Sequence, residues 1–349
     1  MTTRNIHHSQ VQSVKLNSNK NENHEIVEED AYTKYSYFPI QHKILEKYYQ
    51  TQKNVIWTPA ELDFTGGRSD WEDSSKLDPG AKNFIKSVLA FFAQADGIVN
   101  ENIMNNFKQE TSKLKEARAF YCAQEFIETI HNETYSLFIE AFIRDDEEKI
   151  RTFNAIENDP SVKKMAEWAF KWMNQDIPLT ERIVAFACIE GIFFSSAFAA
   201  IYWIKKRNIL RELCKANEWI ARDEAIHTEF AIALYHVLTE QEKMFEPLSQ
   251  ERVHQIIKSA TDTCEQFTRE SLKVDLIGMN APDMIKYVQC TSNRLSTALG
   301  YNPIYNVENP FDWMKVISLP NKSNFFETQV SEYSRQSVSD FSFDEDEDF

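Results

Sequence analysis

From about residue 80 to residue 300, apolar residues recur every three or four positions, the spacing of one helix face. The pattern predicts helices over roughly 79–107, 111–144, 160–175, 179–206, 208–237, 248–268 and 282–298. Pro79, Pro160, Pro178, Pro247 and Pro282 stand near the starts, where a missing N–H is tolerated. No Pro interrupts 80–159 or 179–246, so both stretches can run as long helices. Residues 31–78 are less regular and hold Trp57, Trp71 and the Gly66–Gly67 pair. Residues 1–36 read as a flexible polar tail, and 321–349 as a second tail in which the periodicity is lost. The fold class expected is all-α, one helical domain over 37–320.

Two acids break the apolar stripes. Asp96 falls among Ile85, Leu89, Phe92, Val99 and Ile103, and Glu190 among Ile183, Ala187, Phe194, Ala197 and Ile201. An unpaired buried carboxylate costs several kcal/mol. No Lys or Arg shares those faces, so each acid needs a proton, a distant cation or a metal. Two further segments carry Glu-x-x-His, Glu128 with His131 and Glu224 with His227, whose spacing puts both side chains on one helix face. Asp96 precedes Glu128 by 32 residues and Glu190 precedes Glu224 by 34. Folding the two halves together brings four acids and two imidazoles to one centre, the set that holds two metal ions in ferritin-like bundles. Six N/O donors without a thiolate suit iron or manganese better than zinc or copper.

Glu-x-x-His alone is a weak signal. A third copy, Glu251 with His254, has Glu218 upstream at 33 residues. It lies in a polar helix start, where a Glu faces the helix dipole. The residues alone therefore leave two readings open, a di-metal site or structural helices with scattered acids. Tyr135, seven residues after Glu128, is within roughly 20° of two full turns and lies over the same face. It reads either as a redox-active phenol or as a core Tyr whose hydroxyl binds a carboxylate. Phe194 and Phe198 read either as an apolar shield or as plain packing. Gly97 and Gly191 directly follow Asp96 and Glu190 and are expected to allow close packing beside the metals.

Composition narrows the function classes. Only 7 Gly and 10 Pro occur in 349 residues, against a large sheet fold, and no Gly-rich phosphate loop is present. A net charge of −16 argues against a nucleic-acid binder. The five Cys form no CxxC pair and read as reduced, buried thiols, as in the cytoplasm. The segment 183–204 imitates a membrane span, but Glu190 at its middle and the lack of a second such segment favour a buried core helix. No membrane association is expected.

The stretches 89–102, 128–135, 190–194 and 222–227, with Asn309-Pro-Phe-Asp312, Asn324-Phe-Phe-Glu327 and the terminal Phe349, resemble the small, radical-generating subunit of class I ribonucleotide reductase. The likeness covers roughly 37–349 and is closest to eukaryotic and large-virus forms. It implies a ferritin-like homodimer with a μ-oxo di-iron centre formed with O2, manganese being an alternative metal. Asp96, Glu128, His131, Glu190, Glu224 and His227 would be the ligands and Tyr135 the radical. Phe194, Phe198 and Ile220 would line the radical pocket. Trp57, His131 and Asp223 would carry the electron, with Asp223 bonded to the second nitrogen of His131. Tyr333 would pass the oxidising equivalent onward, and the tail ending in Phe349 would dock on the large catalytic subunit. There ribonucleoside diphosphates would become deoxyribonucleotides for DNA replication. Departures are Ser195-Ser196-Ala197 and Gln94-Ala95, neither at a ligand. The rivals are a di-iron oxygenase or ferroxidase without a stable radical, and a non-catalytic regulatory small subunit.

Overall fold

A computed structural model describes residues 36–272 and 279–311. Tyr333, Phe349 and nearly all of both expected tails lie outside the described residues. The main helices are α1 Lys43–Asn54, α2 Pro79–Asn102, α3 Lys115–Phe142, α4 Asp146–Phe153, α5 Pro160–Trp172, α6 Leu179–Lys206, α7 Arg211–His236, α8 Gln250–Ser271 and α9 Ala281–Ala298. No strand occurs among the described residues.

Helix starts follow local chemistry. Asp78 accepts the N–H of Ala81 at 2.9 Å ahead of α2, with Pro79 in the first turn. Asp145, Asp159, Ser249 and Asn280 cap α4, α5, α8 and α9 in the same way. The inward stripes then set the packing. Helices α2 and α3 pack together as one half of the centre, and α6 and α7 as the other. On the outside, α1 lies against α3 and α7, while α8 covers α5, α6 and α9. Burying a Phe, Leu or Ile contributes roughly 1.5–3 kcal/mol, and α2 alone buries Phe84, Ile85, Leu89, Phe91, Phe92 and Ile98.

Helix α6 is long and apolar enough to cross a membrane, yet its apolar stretch is buried inside the bundle, as expected of a core helix. It is not a regular α-helix. A π turn spans Ile189–Phe193 and contains Glu190. Further π turns follow α2 at Ile103–Phe107 and α7 at Val237–Gln241. Such turns add one residue to a helical turn and recur at functional sites.

The structure corrects four sequence expectations. Cys122 is exposed on the outward face of α3, whereas Cys188, Cys214, Cys264 and Cys290 are buried as expected. Within the irregular stretch 31–78, α1 is a full helix whose Leu45 and Gln52 are buried, with Ile44, Tyr48 and Tyr49 packed on the core. Its polar composition hides a face that only tertiary packing fills. The long helix expected over 111–144 is shorter, because Leu114 is extended and the chain breaks at Ile143 before Asp145 caps α4. Gly97 does not serve close packing inside the chain. It is exposed, and a Cβ built there meets only Asn132 Nδ2, at 4.0 Å.

Candidate metal centre

All six acids and imidazoles singled out by spacing are fully buried and meet in the middle of the bundle. Asp96 comes from α2, Glu128 and His131 from α3, Glu190 from the π turn of α6, and Glu224 and His227 from α7. Their donor atoms fall into two overlapping groups, each within 4.8 Å. Asp96, Glu128 and His131 form one, and Glu128, Glu190, Glu224 and His227 the other.

The oxygen positions are more specific than the grouping. Glu128 turns Oε1 to His227 Nδ1 at 2.8 Å and Oε2 to His131 Nδ1 at 3.4 Å. Glu224 does the reverse, with Oε1 at 3.0 Å from His131 Nδ1 and Oε2 at 3.0 Å from His227 Nδ1. Each of these carboxylates thus straddles both imidazoles. Asp96 stands at the His131 end and Glu190 at the His227 end.

Electrostatics separate the four acids. Burial, then the charge of Glu128, pushes the Asp96 carboxyl well above its ordinary range. Burial, then the charges of Glu224 and Glu128, does the same to Glu190. For Glu224 burial acts upward too, but the charge of His227 and the bond from His131 bring it below its ordinary range. Burial disfavours a charged His227, yet Glu128 and Glu224 raise it to about 9.

The donor set fits metal ions. Both Asp96 oxygens, Glu128 Oε2, Glu190 Oε2, Glu224 Oε1 and His131 Nδ1 are buried without an aligned hydrogen-bond partner. A buried polar atom left unpaired costs about 1–3 kcal/mol, and here six such atoms sit in one cluster. They carry lone pairs of carboxylate and imidazole, the donors that hard or borderline divalent ions take. The cluster is compatible with a two-metal site.

The surroundings differ on the two sides. His131 Nε2 lies 3.2 Å from Asp223 Oδ2, and the same oxygen accepts Trp57 Nε1–H at 2.8 Å. Arg222 and Gln52 donate to Asp223 Oδ1 at 3.1 and 3.4 Å. Burial would raise the Asp223 carboxyl, but Arg222 and the bonds from His131 and Trp57 hold it below the ordinary range. Tyr135 is fully buried, and its hydroxyl has no partner. Burial, then the charges of Asp96, Glu224 and Glu128, pushes the phenol well up. Its ring stacks on Phe92 at 4.3 Å and 2°, and Phe92 in turn contacts Phe198 at 5.3 Å and Phe194 at 5.5 Å. Ile220, one turn before Glu224, is fully buried.

The third Glu-x-x-His stays apart. Glu251 is exposed at the start of α8, and His254 bonds the Asn302 carbonyl. Glu218 pairs instead with Lys205. Sequence reasoning missed Gln124, whose Nε2 donates to Glu190 Oε1 at 3.0 Å and lies 3.4 Å from Glu128 Oε1. Its signal was present, since Gln124 is one helical turn before Glu128 on an otherwise apolar face. Arg222 and Gln52 were also missed, because what each touches comes from a distant part of the chain.

The family described as "Ribonucleotide reductase, small chain" matches residues 34–310. A ribonucleoside-diphosphate reductase small chain from Nicotiana tabacum is 45% identical over 301 residues, covering 86% of this chain and 88% of its own length. The small chain of Vaccinia virus (strain Ankara) is also 45% identical over 301 residues, covering 86% and 91%. Among solved structures, the ribonucleotide reductase Rnr4 homodimer from Saccharomyces cerevisiae aligns with a TM-score of 0.71 at 29% identity, covering 81% of this chain and 87% of that one.

Proposed function

The chain belongs to the ribonucleotide reductase small-chain family, and from that membership we propose that it generates and stores a tyrosyl radical for a separate large subunit. It is the small subunit of a ribonucleoside-diphosphate reductase. One observation carries the mechanistic reading: Glu128 and Glu224 each offer one oxygen to each imidazole, with the buried Tyr135 close by.

In this reading Glu128 and Glu224, whose oxygens face both imidazoles, would hold two iron ions together with Asp96 and His131 at one end and Glu190 and His227 at the other. The ions, when bound, supply the reducing equivalents and Lewis acidity that activate O2. The protein's own residues do the rest. Burial keeps the Tyr135 phenol protonated until it is oxidised, so losing an electron also means losing a proton. The rings of Phe92, Phe194 and Phe198 and the side chain of Ile220 keep water and reductants from the resulting neutral radical. Gln124 holds Glu190 by its amide N–H. His131, Asp223 and Trp57 form the exit, with Trp57 Nε1–H and His131 Nε2 both on Asp223 Oδ2. Tyr333 then passes the oxidising equivalent onward, and the tail ending in Phe349 docks on the large subunit, which reduces ribonucleotides. The protein works as a homodimer in the cytoplasm, in keeping with its five free thiols.

The test is electron paramagnetic resonance after adding ferrous iron and air. The wild-type protein is expected to give a tyrosyl signal. Tyr135→Phe is expected to bind iron equally and give none. A silent wild type, or an unchanged signal in the variant, would overturn the assignment.

A further inference from the structure

We propose that Lys215, held over the ring of Trp219, keeps the oxidising equivalent on Trp57 by barring its escape to Trp219. This deepens the proposed function and rests on its exit through Trp57. Trp57 lies just after α1, and Trp219 is on α7. The two indoles touch, with ring centroids 5.1 Å apart and planes at 53°. An electron crosses such a contact easily, so an electron hole on Trp57 has a second ring to go to.

Burial alone would favour the wrong ring. Trp57 is 4% exposed, whereas Trp219 is only partly buried. A positive charge costs less near water, so the cation would settle on Trp219. The step is a one-electron exchange. Trp219 gives an electron to the Trp57 radical cation, Trp57 returns to its neutral form, and Trp219 becomes the radical cation. A hole there has left the chain through Asp223 and His131 and meets reductants from solvent.

Charge reverses the preference. Trp57 Nε1–H donates to Asp223 Oδ2 at 2.8 Å, and that carboxyl is held below its ordinary range, so it is charged. Arg222 offsets part of this pull, but it bonds the other oxygen, Oδ1. A carboxylate beside the indole stabilises its cation. Trp219 has the opposite partner. Lys215 Nζ lies 4.7 Å from its ring centroid. An ammonium over the face of an indole binds the neutral ring and repels the cation. Lys215 is one turn before Trp219 on α7, and its Nζ donates to the Glu61 carbonyl at 3.2 Å, which fixes the charge in place. Lys215 is therefore a positioning residue, acting on where the hole rests.

Freeze-quench electron paramagnetic resonance after ferrous iron and air, in a Tyr135→Phe background, reads which indole is oxidised. With Lys215 present, the indole signal is expected to be unchanged by Trp219→Phe and lost in Trp57→Phe. Lys215→Gln keeps a donor for the Glu61 carbonyl but no charge. It is expected to add a second indole signal and shorten the lifetime of the first about tenfold. Adding Trp219→Phe to that chain is expected to reverse both changes, and Lys215→Arg to behave as the wild type. In metal-free protein, the far-ultraviolet circular dichroism couplet of two touching indoles is expected to vanish in Trp219→Phe and to persist in Lys215→Gln. An unchanged single signal in Lys215→Gln, or a lost couplet there, overturns the charge role and leaves the exit through Trp57 standing. So does a signal that Trp219→Phe alters while Lys215 is present. No indole signal in any of these chains overturns both the proposal and the exit it rests on.

Discussion

The two sides of the buried carboxylate–imidazole cluster are built on opposite terms. On the His131 side, polar contacts run outward without a break, from imidazole to Asp223 to Trp57, with Arg222 and Gln52 in support. On the Tyr135 side no hydrogen bond reaches the phenol, and stacked Phe rings back it. His227 resembles the second side, because its Nε2 has no partner and its ring meets Phe120 edge-on at 6.1 Å. One centre therefore has a connected wall and an insulated wall. Low polarity protects a reactive group, whereas a hydrogen-bonded chain holds the groups that must exchange charge in fixed positions. The proposed storage and export of a radical would need both, and one environment cannot supply the two.

Phe198→Ala should break the insulated wall most severely. Emptying that space is expected to cost about 3–5 kcal/mol of stability, read by denaturant melts. The tyrosyl signal should also decay faster, and an unchanged lifetime would make Phe198 ordinary packing. Asp223→Ala attacks the connected wall instead. It leaves His131 Nε2 and Trp57 Nε1 without their shared acceptor, and removal of such a partner lowers activity or metal affinity roughly 10–100-fold. Turnover with the large subunit should fall toward the upper end of that range, while the Tyr135 signal persists. Loss of both together would show that the two walls are not separable.

Gln124→Ala sharpens the comparison at the Glu190 end. Without the amide, iron binding at that end should weaken about tenfold, measured by titrating ferrous iron into metal-free protein. Binding at the Asp96 end should change less. The smallest effect is in pH. His227 is raised from 6.5 to about 9 in the folded, metal-free protein, and His131 is raised as well. A raised imidazole stabilises the fold fully below its unfolded value near 6.5, and that contribution is lost as pH climbs through about 9. Asp96 and Glu190, also raised, act in the same sense. Melting of the metal-free protein should therefore move down between pH 6.5 and 9, and metal-loaded protein, whose ligands have already lost their protons, should respond much less. Equal slopes for the two forms would count against metal binding at these residues.

Much of the site was legible because a helix face is a local property. The spacing from Glu128 to His131, and from Glu224 to His227, puts each pair on one side wherever the helix goes. The apolar neighbours of Asp96 and Glu190 marked them as buried before any fold was drawn. The contact between Trp57 and Asp223 was different. It spans 166 residues and begins in an irregular stretch, so only the family resemblance pointed to it. Gln124 carried a local signal, but its partner Glu190 sits 66 residues away in a π turn that a period of 3.6 cannot reveal. Gly97 was misread because its sequence neighbour is Asp96, while successive residues on a helix point about 100° apart.

By itself the sequence determined an all-helical chain, the helices that carry the six candidate ligand residues, and the burial of those residues. Each follows from spacing along one segment and the cost of leaving a charge among apolar side chains. The tertiary structure alone decided which carboxylates straddle both imidazoles, which wall is wired and which is sealed, and which face of α3 is left outward. Those depend on how distant helices approach and turn against one another, which is set by packing over the whole core rather than by any local pattern.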